Sequence, residues 1–130
     1  MEKVLGIGGV FVRSKDPAAL GAWYRDNLGL DVTPWNGAVF PLRHEDDRGG
    51  AKVVWSAFKE SSDYFGSRDN SFMLNFRVRD LDAMRAQLLA KGCDVDEKVD
   101  ASEYGKFGWV TDPDGRRIEL WEPPEKPPGA

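Results

Sequence analysis

Residues able to do chemistry are sparse in this chain of 130 residues, and they fall in a pattern. The stretch DPDGRRIELWEPP reads as a last strand in which Glu119 and Trp121 share one face with Arg117, while Ile118 and Leu120 share the other. A carboxylate beside a tryptophan is either a solvated edge charge or the wall of a site. In a site it could serve as a metal ligand, a lone general base or one half of an ion pair. Arg13 and Arg77 carry guanidinium forks that suit carboxylate or phosphate. They either clamp an anionic group or reach solvent at the ends of their strands. The one histidine, His44, sits in the polar turn HEDDRGG. The one cysteine, Cys93, begins a strand directly after a helix-stopping glycine and has no companion base. No nucleophile–base set can be assembled from them. GIGG lies within or before a strand, so it is not a phosphate loop, and Gly8 and Gly9 instead permit close backbone approach.

The elements that position these residues are written twice. VLGIGGVFVR reads as a strand, followed by a helix with Asp16 as N-cap, Pro17 at its first position and Gly29 as its stop. Leu20, Trp23, Tyr24 and Leu28 form the apolar stripe of that helix. AVFPL and AKVVWSAF are two further strand signals. The second half repeats the order: SFMLNFRVR as a strand, then a helix capped by Asp80 and ended by Gly92, with Leu81, Met84 and Leu88 as its stripe. CDVDEKV, KFGWVT and RRIELW follow as strands, with DPDG turning between the last two. Placing Asp16 on Asp80 is an offset of 64 and sets Arg13 on Arg77, Phe11 on Asn75 and Gly9 on Met73. The chain therefore divides into a first module at 1–60, a connection at 61–70, a second module at 71–122 and a frayed proline-rich tail at 123–130. Each half alone is marginal in size, and two packed together make one stable domain.

Period-two alternation assigns faces. Gly9, Phe11 and Arg13 share one, as do Met73, Asn75 and Arg77, and Glu119 with Trp121. The opposite faces, with Val10 and Val12, with Leu74, Phe76 and Val78, and with Ile118 and Leu120, are apolar and belong under the helices. Five tryptophans are many for this length. Trp23 fits the helix core, and a regular DPDG hairpin puts Trp109 beside Ile118 in the core. Trp55 and Trp121 fall on the polar–aromatic face, and Trp35 lies in a loop able to overhang it. These aromatics form either a pocket for a flat organic ligand or ordinary core and dimer packing.

The net charge of -4 disfavours nucleic acid, which needs a basic footprint. One cysteine excludes an internal disulfide and fits a reducing compartment. No stretch reads as a secretory signal or approaches a membrane span, so the expected location is cytoplasmic.

VFVRSKDPAALGAWYRDNLGL, FRVRDLDAMRAQLLAKG and GWVTDPDGRRIELWEPP, in this order, resemble the vicinal oxygen chelate superfamily. That superfamily takes in glyoxalase I, extradiol dioxygenases, fosfomycin-resistance enzymes and bleomycin-resistance proteins. The resemblance covers nearly the whole chain. It implies an α+β fold of two βαβββ modules forming a curved mixed sheet, with a ligand on the concave face and usually a dimer. In metal-using members a divalent cation sits there. The matching ligand positions are Gly9, Met73, Glu119 and, by module symmetry, Trp55. Only Glu119 is a ligand type, and one carboxylate does not hold such a cation.

The expectation is therefore a metal-independent small-molecule binding protein, for which the bleomycin-resistance branch is a precedent. It would hold an apolar or aromatic ligand among Phe11, Arg13, Trp55, Met73, Asn75, Arg77 and Trp121. Glu119 is the one catalytic candidate, and its expected partner is Arg13 or Arg77. The alternative is a glyoxalase-like lyase or isomerase with a degenerate or shifted divalent-metal site. A third reading is a structural or partner-binding dimer module. Expected partners are the ligand and a second copy of the chain, with no nucleic acid and no membrane.

Overall fold

A computed structural model describes residues 1–41 and 51–126. His44 and the last four residues of the expected tail lie outside the described residues. The first half contains β1 (Val4–Ser14), α1 (Pro17–Leu28), β2 (Gly37–Pro41) and β3 (Lys52–Lys59). The second contains β4 (Phe72–Val78), α2 (Leu81–Ala90), β5 (Asp94–Val95), β6 (Asp100–Ser102), β7 (Gly105–Thr111) and β8 (Arg117–Glu122). The fold is α+β, as the sequence indicates. The strands form one mixed sheet in the order β2-β3-β1-β4-β8-β7-β5, with β6 paired to β7.

Both helices begin where their caps demand. Asp16 accepts from the Ala19 amide and Asp80 from the Ala83 amide, each at 3.0 Å. Gly29 closes α1 in the left-handed conformation at φ 71°. The two halves meet along an antiparallel pairing of β1 with β4, with Val10 opposite Leu74. Phe11 faces Met73, and Gly9 faces Asn75. In each half the last long strand then runs parallel to the first, β3 beside β1 and β8 beside β4.

One face of the second half packs under α2. Val78, Leu81, Met84 and Leu120 are buried together, with Phe76, Leu88, Val110 and Ile118 against them. This agrees with the alternation read from the sequence. The stripe of α1 agrees less well. Gly21 is its buried residue and Tyr24 packs on the sheet, but Trp23 is 53% exposed and Leu28 59%. Trp23 is therefore not a core residue; its ring meets Tyr24 edge-on at 5.3 Å on the outer side of the helix. CDVDEKV yields only the two residues of β5, because Asp96 and Lys98 turn the chain with an amide-to-carboxylate bond of 2.9 Å.

Two registers differ from the sequence reading by one residue. The β7–β8 turn holds five residues rather than four, closed by the Asp112 amide on the Arg116 carbonyl at 2.9 Å. Trp109 is consequently opposite Glu119, not Ile118, and shares its face. In the first half, Phe11 is opposite Ser56, whereas in the second Asn75 is opposite Glu119. Ser56, not Trp55, is thus the counterpart of Glu119. Trp55 points to the helix side, where its ring lies 4.4 Å from that of Tyr24.

Candidate functional site

The concave face is divided by the connection between the halves. Phe65 is fully buried there against Phe11, Met73 and Trp109, and Tyr64 stacks on Phe58 at 5.5 Å. This aromatic plug fills one end. Arg13 holds it in place: its guanidinium donates to the carbonyls of Asn70 at 2.7 Å, Glu60 at 3.0 Å and Ser67 at 3.3 Å, and also to that of Ser62. It lies 4.8 Å from the centre of the Phe65 ring as well. Arg13 therefore organises the connection and is not among the residues that line the open pocket.

The other end is open as a pocket of about 470 Å³. β3 gives it Lys52 and Val54, β1 gives Gly8 and Phe11, β4 gives Asn75, and β8 gives Glu119 and Trp121. Phe107 forms the far wall and stacks on Trp121 with ring centres 6.1 Å apart. Trp35 and Tyr104 stand half exposed at the rim, with Thr33 beside them. The Trp121 indole donates to the Tyr104 carbonyl at 2.8 Å, which ties rim to floor. The turn beyond Tyr104 requires glycine, because Gly105 has φ 109° and a Cβ there would lie 2.2 Å from the Glu122 carbonyl oxygen.

Glu119 is 2% exposed at the boundary between plug and pocket. Three donors surround its carboxylate. Asn75 Nδ2 reaches Oε1 at 2.7 Å, Trp109 Nε1 reaches Oε2 at 3.1 Å, and the Tyr64 hydroxyl also donates to Oε2. Burial pushes the Glu119 carboxyl above its usual range, while these three hydrogen bonds oppose the shift. Burial, together with the neighbouring Glu119 charge, raises the Tyr64 phenol as well. The raised phenol keeps its own proton and donates it to Glu119, while burial works against ionisation of the Glu119 carboxyl itself.

The expected arginine partner of Glu119 is corrected by this geometry. Arg13 is engaged by the connection. Arg77 is buried, lies across Gly6 and Gly8 of β1, and donates to the Ile7 carbonyl. Arg117 attracts Glu119 from a distance, but its guanidinium bonds Asp96 at 3.0 Å. Asn75 stands directly opposite Glu119 in register, so an amide occupies the place expected of a guanidinium.

Of the residues expected to bind ligand, Phe11, Asn75 and Trp121 line the pocket with Glu119, and Trp35 overhangs it as its loop position suggests. Met73 is buried under the plug, Trp55 is on the helix side, and Arg13 and Arg77 are engaged with backbone, so none of these four lines it. Tyr64, Phe107 and Tyr104 are additions. The aromatic pair in SSDYFGSRDN, unusual in a polar connection, was the available signal for the first. The one-residue register shift hid Phe107.

A profile of the Glyoxalase-like domain family matches residues 9–121, and the chain belongs to that family. Its fold is that of the glyoxalase/bleomycin resistance/dioxygenase superfamily. The methylmalonyl-CoA epimerase of Mycobacterium tuberculosis is similar, at TM-score 0.62 and 22% identity over 92% of this chain and 89% of that one. The Streptomyces coelicolor methylmalonyl-CoA epimerase in complex with 2-nitronate-propionyl-CoA gives TM-score 0.66 and 17% identity over 93% and 96%. A superfamily member from Vibrio splendidus 12B01 gives TM-score 0.56 and 15% identity over 94% and 99%. No curated protein matches the chain by sequence.

The residues at the expected metal-ligand positions do not fit a divalent cation. A Cβ at Gly9 would lie 2.7 Å from the Val54 carbonyl oxygen and 2.8 Å from the Phe11 ring, so no side chain can project there unless the strands shift. Met73 is sealed under the plug and Ser56 offers a neutral hydroxyl. Among the described residues no three His, Cys, Asp or Glu side chains gather. Among the same residues, no helix is long and apolar enough to cross a membrane.

Proposed function

We propose that this protein binds a small apolar or aromatic molecule in the concave pocket without a metal. The observation that carries the reading is the Glu119 carboxylate, whose two oxygens are met by Asn75, Trp109 and Tyr64. In metal-using relatives, as the resemblance implies, the corresponding carboxylate turns to a cation. Here three hydrogen-bond donors neutralise its lone pairs instead, and a cation would have to displace them. The aromatic walls of Phe11, Phe107, Trp121 and Trp35 suit a flat ligand, and the volume falls within the range of small-molecule sites. The test is elemental analysis of the purified protein together with titration of Mn, Co, Ni and Zn ions while the melting temperature is followed. Sub-stoichiometric metal and no saturable rise in melting temperature are expected. Near one ion per chain, or a saturable stabilisation lost in Glu119→Gln, would refute the reading.

The second reading is a glyoxalase-like lyase or isomerase. Its support is that Glu119 both lines the pocket and is raised by burial, which are properties of a proton-transferring group. A dimer in a cytoplasmic setting completes the proposal. Trp23 and Leu28 on α1 and Phe40 on β2 expose apolar area consistent with pairing. Sedimentation at micromolar concentration should give twice the 14.5 kDa chain mass, and a monomer throughout that range would sink the pairing.

A further inference from the structure

We infer that the ligand is a flat aromatic molecule with a neutral hydrogen-bond donor at one end and an anionic group at the other, the donor meeting Asn75 and the anion Lys52. This rests on the binding reading above and deepens it.

Asn75 is 2% exposed and its amide is oriented by Glu119, which accepts from Nδ2 at 2.7 Å. Its Oδ1 is buried and has no hydrogen-bond partner among the described residues. Gly8 leaves that oxygen its place at the edge of the pocket, since a Cβ there would lie 2.2 Å from Oδ1. Gly8 sits at a register shift between β1 and β4, between the pairs Ile7–Phe76 and Gly9–Asn75, and both Gly8 and Asn75 line the pocket. A buried acceptor left without a donor is costly, and pockets that display one select ligands that supply the missing hydrogen. The orphan oxygen therefore asks for an O–H or N–H on the ligand.

The charges around the pocket fix the other end. Among the described residues, the charged ones that line it are Glu119 and Lys52. Glu119 adjoins Asn75, so an anionic group at that end would face a carboxylate. Lys52 opens β3 at the rim, its ammonium 6.0 Å from the Tyr104 ring, and among the described residues no carboxylate pairs with it. β3 and β4 flank β1, and two strand spacings separate them by roughly 10 Å. Phe11, Val54 and Trp121 cover the distance with apolar surface. A rigid two-ring molecule carrying a hydroxyl and a carboxylate at opposite ends matches that span.

The test uses three related probes in isothermal titration with the full chain: 6-hydroxy-2-naphthoate, 6-methoxy-2-naphthoate, which lacks the donor, and 2-naphthol, which lacks the anion. The hydroxynaphthoate should bind tightest, and each of the others should be weaker by about tenfold or more. Lys52→Met should weaken hydroxynaphthoate while leaving 2-naphthol unchanged. Gly8→Ala should abolish the advantage of hydroxynaphthoate over its methoxy analogue. Equal affinity for all three probes would overturn the polar assignment and leave the aromatic pocket standing. Absence of binding by any of them would overturn both.

Discussion

The hydroxyl of Tyr64, in the connection between the two halves, donates to the carboxylate of Glu119 on the last strand, 55 residues away in sequence. This contact joins the plug to the pocket, because Tyr64 stacks on Phe58 while Glu119 lines the open side. Tyr64→Phe keeps the ring and removes only the donor. Glu119 would retain Asn75 and Trp109 but lose its phenolic partner in a buried setting. A loss of about 1–3 kcal/mol in chemical denaturation is expected, with an unchanged denaturant slope. A midpoint equal to that of the parent would show that water replaces the phenol at no cost.

Glu119 also sets a pH dependence whose sign follows from its environment. Burial raises its carboxyl above the ordinary value of 4.5, so the folded chain holds this proton to higher pH than the unfolded chain. Between the ordinary value and the raised one, the folded state binds more protons, and stability falls as pH rises through that window. Below the window both states are protonated and above it both are ionised, so the Glu119 contribution is flat on either side. Asp96 acts in the opposite sense: the Lys98 amide and Arg117 hold it low, so its contribution is lost on acidification. Glu119→Gln removes the first effect and leaves the second. The difference between parent and variant stability should slope downward only within the Glu119 window, and a flat difference across pH 4–8 would contradict the assignment.

Most of the frame was legible because it rests on local rules. Asp16 and Asp80 announced their helices through capping, and the clean apolar alternation of Leu74, Phe76, Val78, Ile118 and Leu120 announced the face under α2. The face of Glu119 was legible for the same reason. Its partners were not, because alternation assigns a side and says nothing about distance along it. Arg13 lies toward the strand end, where it meets carbonyls of a connection that the sequence presents only as polar. Trp55 and Trp109 were misplaced by a single residue each, and a one-residue error in a strand exchanges faces. Tyr64 and Phe65 approach the site from outside the sheet, so no strand periodicity could have found them.

Arg13 provides a test of the plug. Its guanidinium collects carbonyls from both ends of the connection, Glu60 and Ser62 on one side and Ser67 and Asn70 on the other. Arg13→Met keeps much of the stem over Phe65 but leaves those acceptors without their donor. The expected loss is about 2–3 kcal/mol. Limited proteolysis should also cut within residues 61–70 faster than in the parent, because the connection loses its tie. Unchanged cleavage there would show that Phe65 alone secures the plug.

Leu120 tests the opposite face of the strand that carries Glu119. It is 4% exposed and buried with Val78, Leu81 and Met84, while Glu119 and Trp121 on either side of it point into the concavity. Truncation to alanine removes three carbon atoms from a site bounded by the sheet below and α2 above. Neither can close readily on the space. β8 is hydrogen-bonded on both sides, and α2 is fixed at its start by the Asp80 cap and by Glu122, which accepts from the Leu81 amide at 2.9 Å. Leu120→Ala should therefore cost about 2–5 kcal/mol, toward the upper part of that range if little relaxation occurs. Because the changed atoms face away from the pocket, variant protein that remains folded should bind 6-hydroxy-2-naphthoate with the parent's affinity. A small stability loss combined with weakened binding would mean that Leu120, not Glu119, faces the concavity.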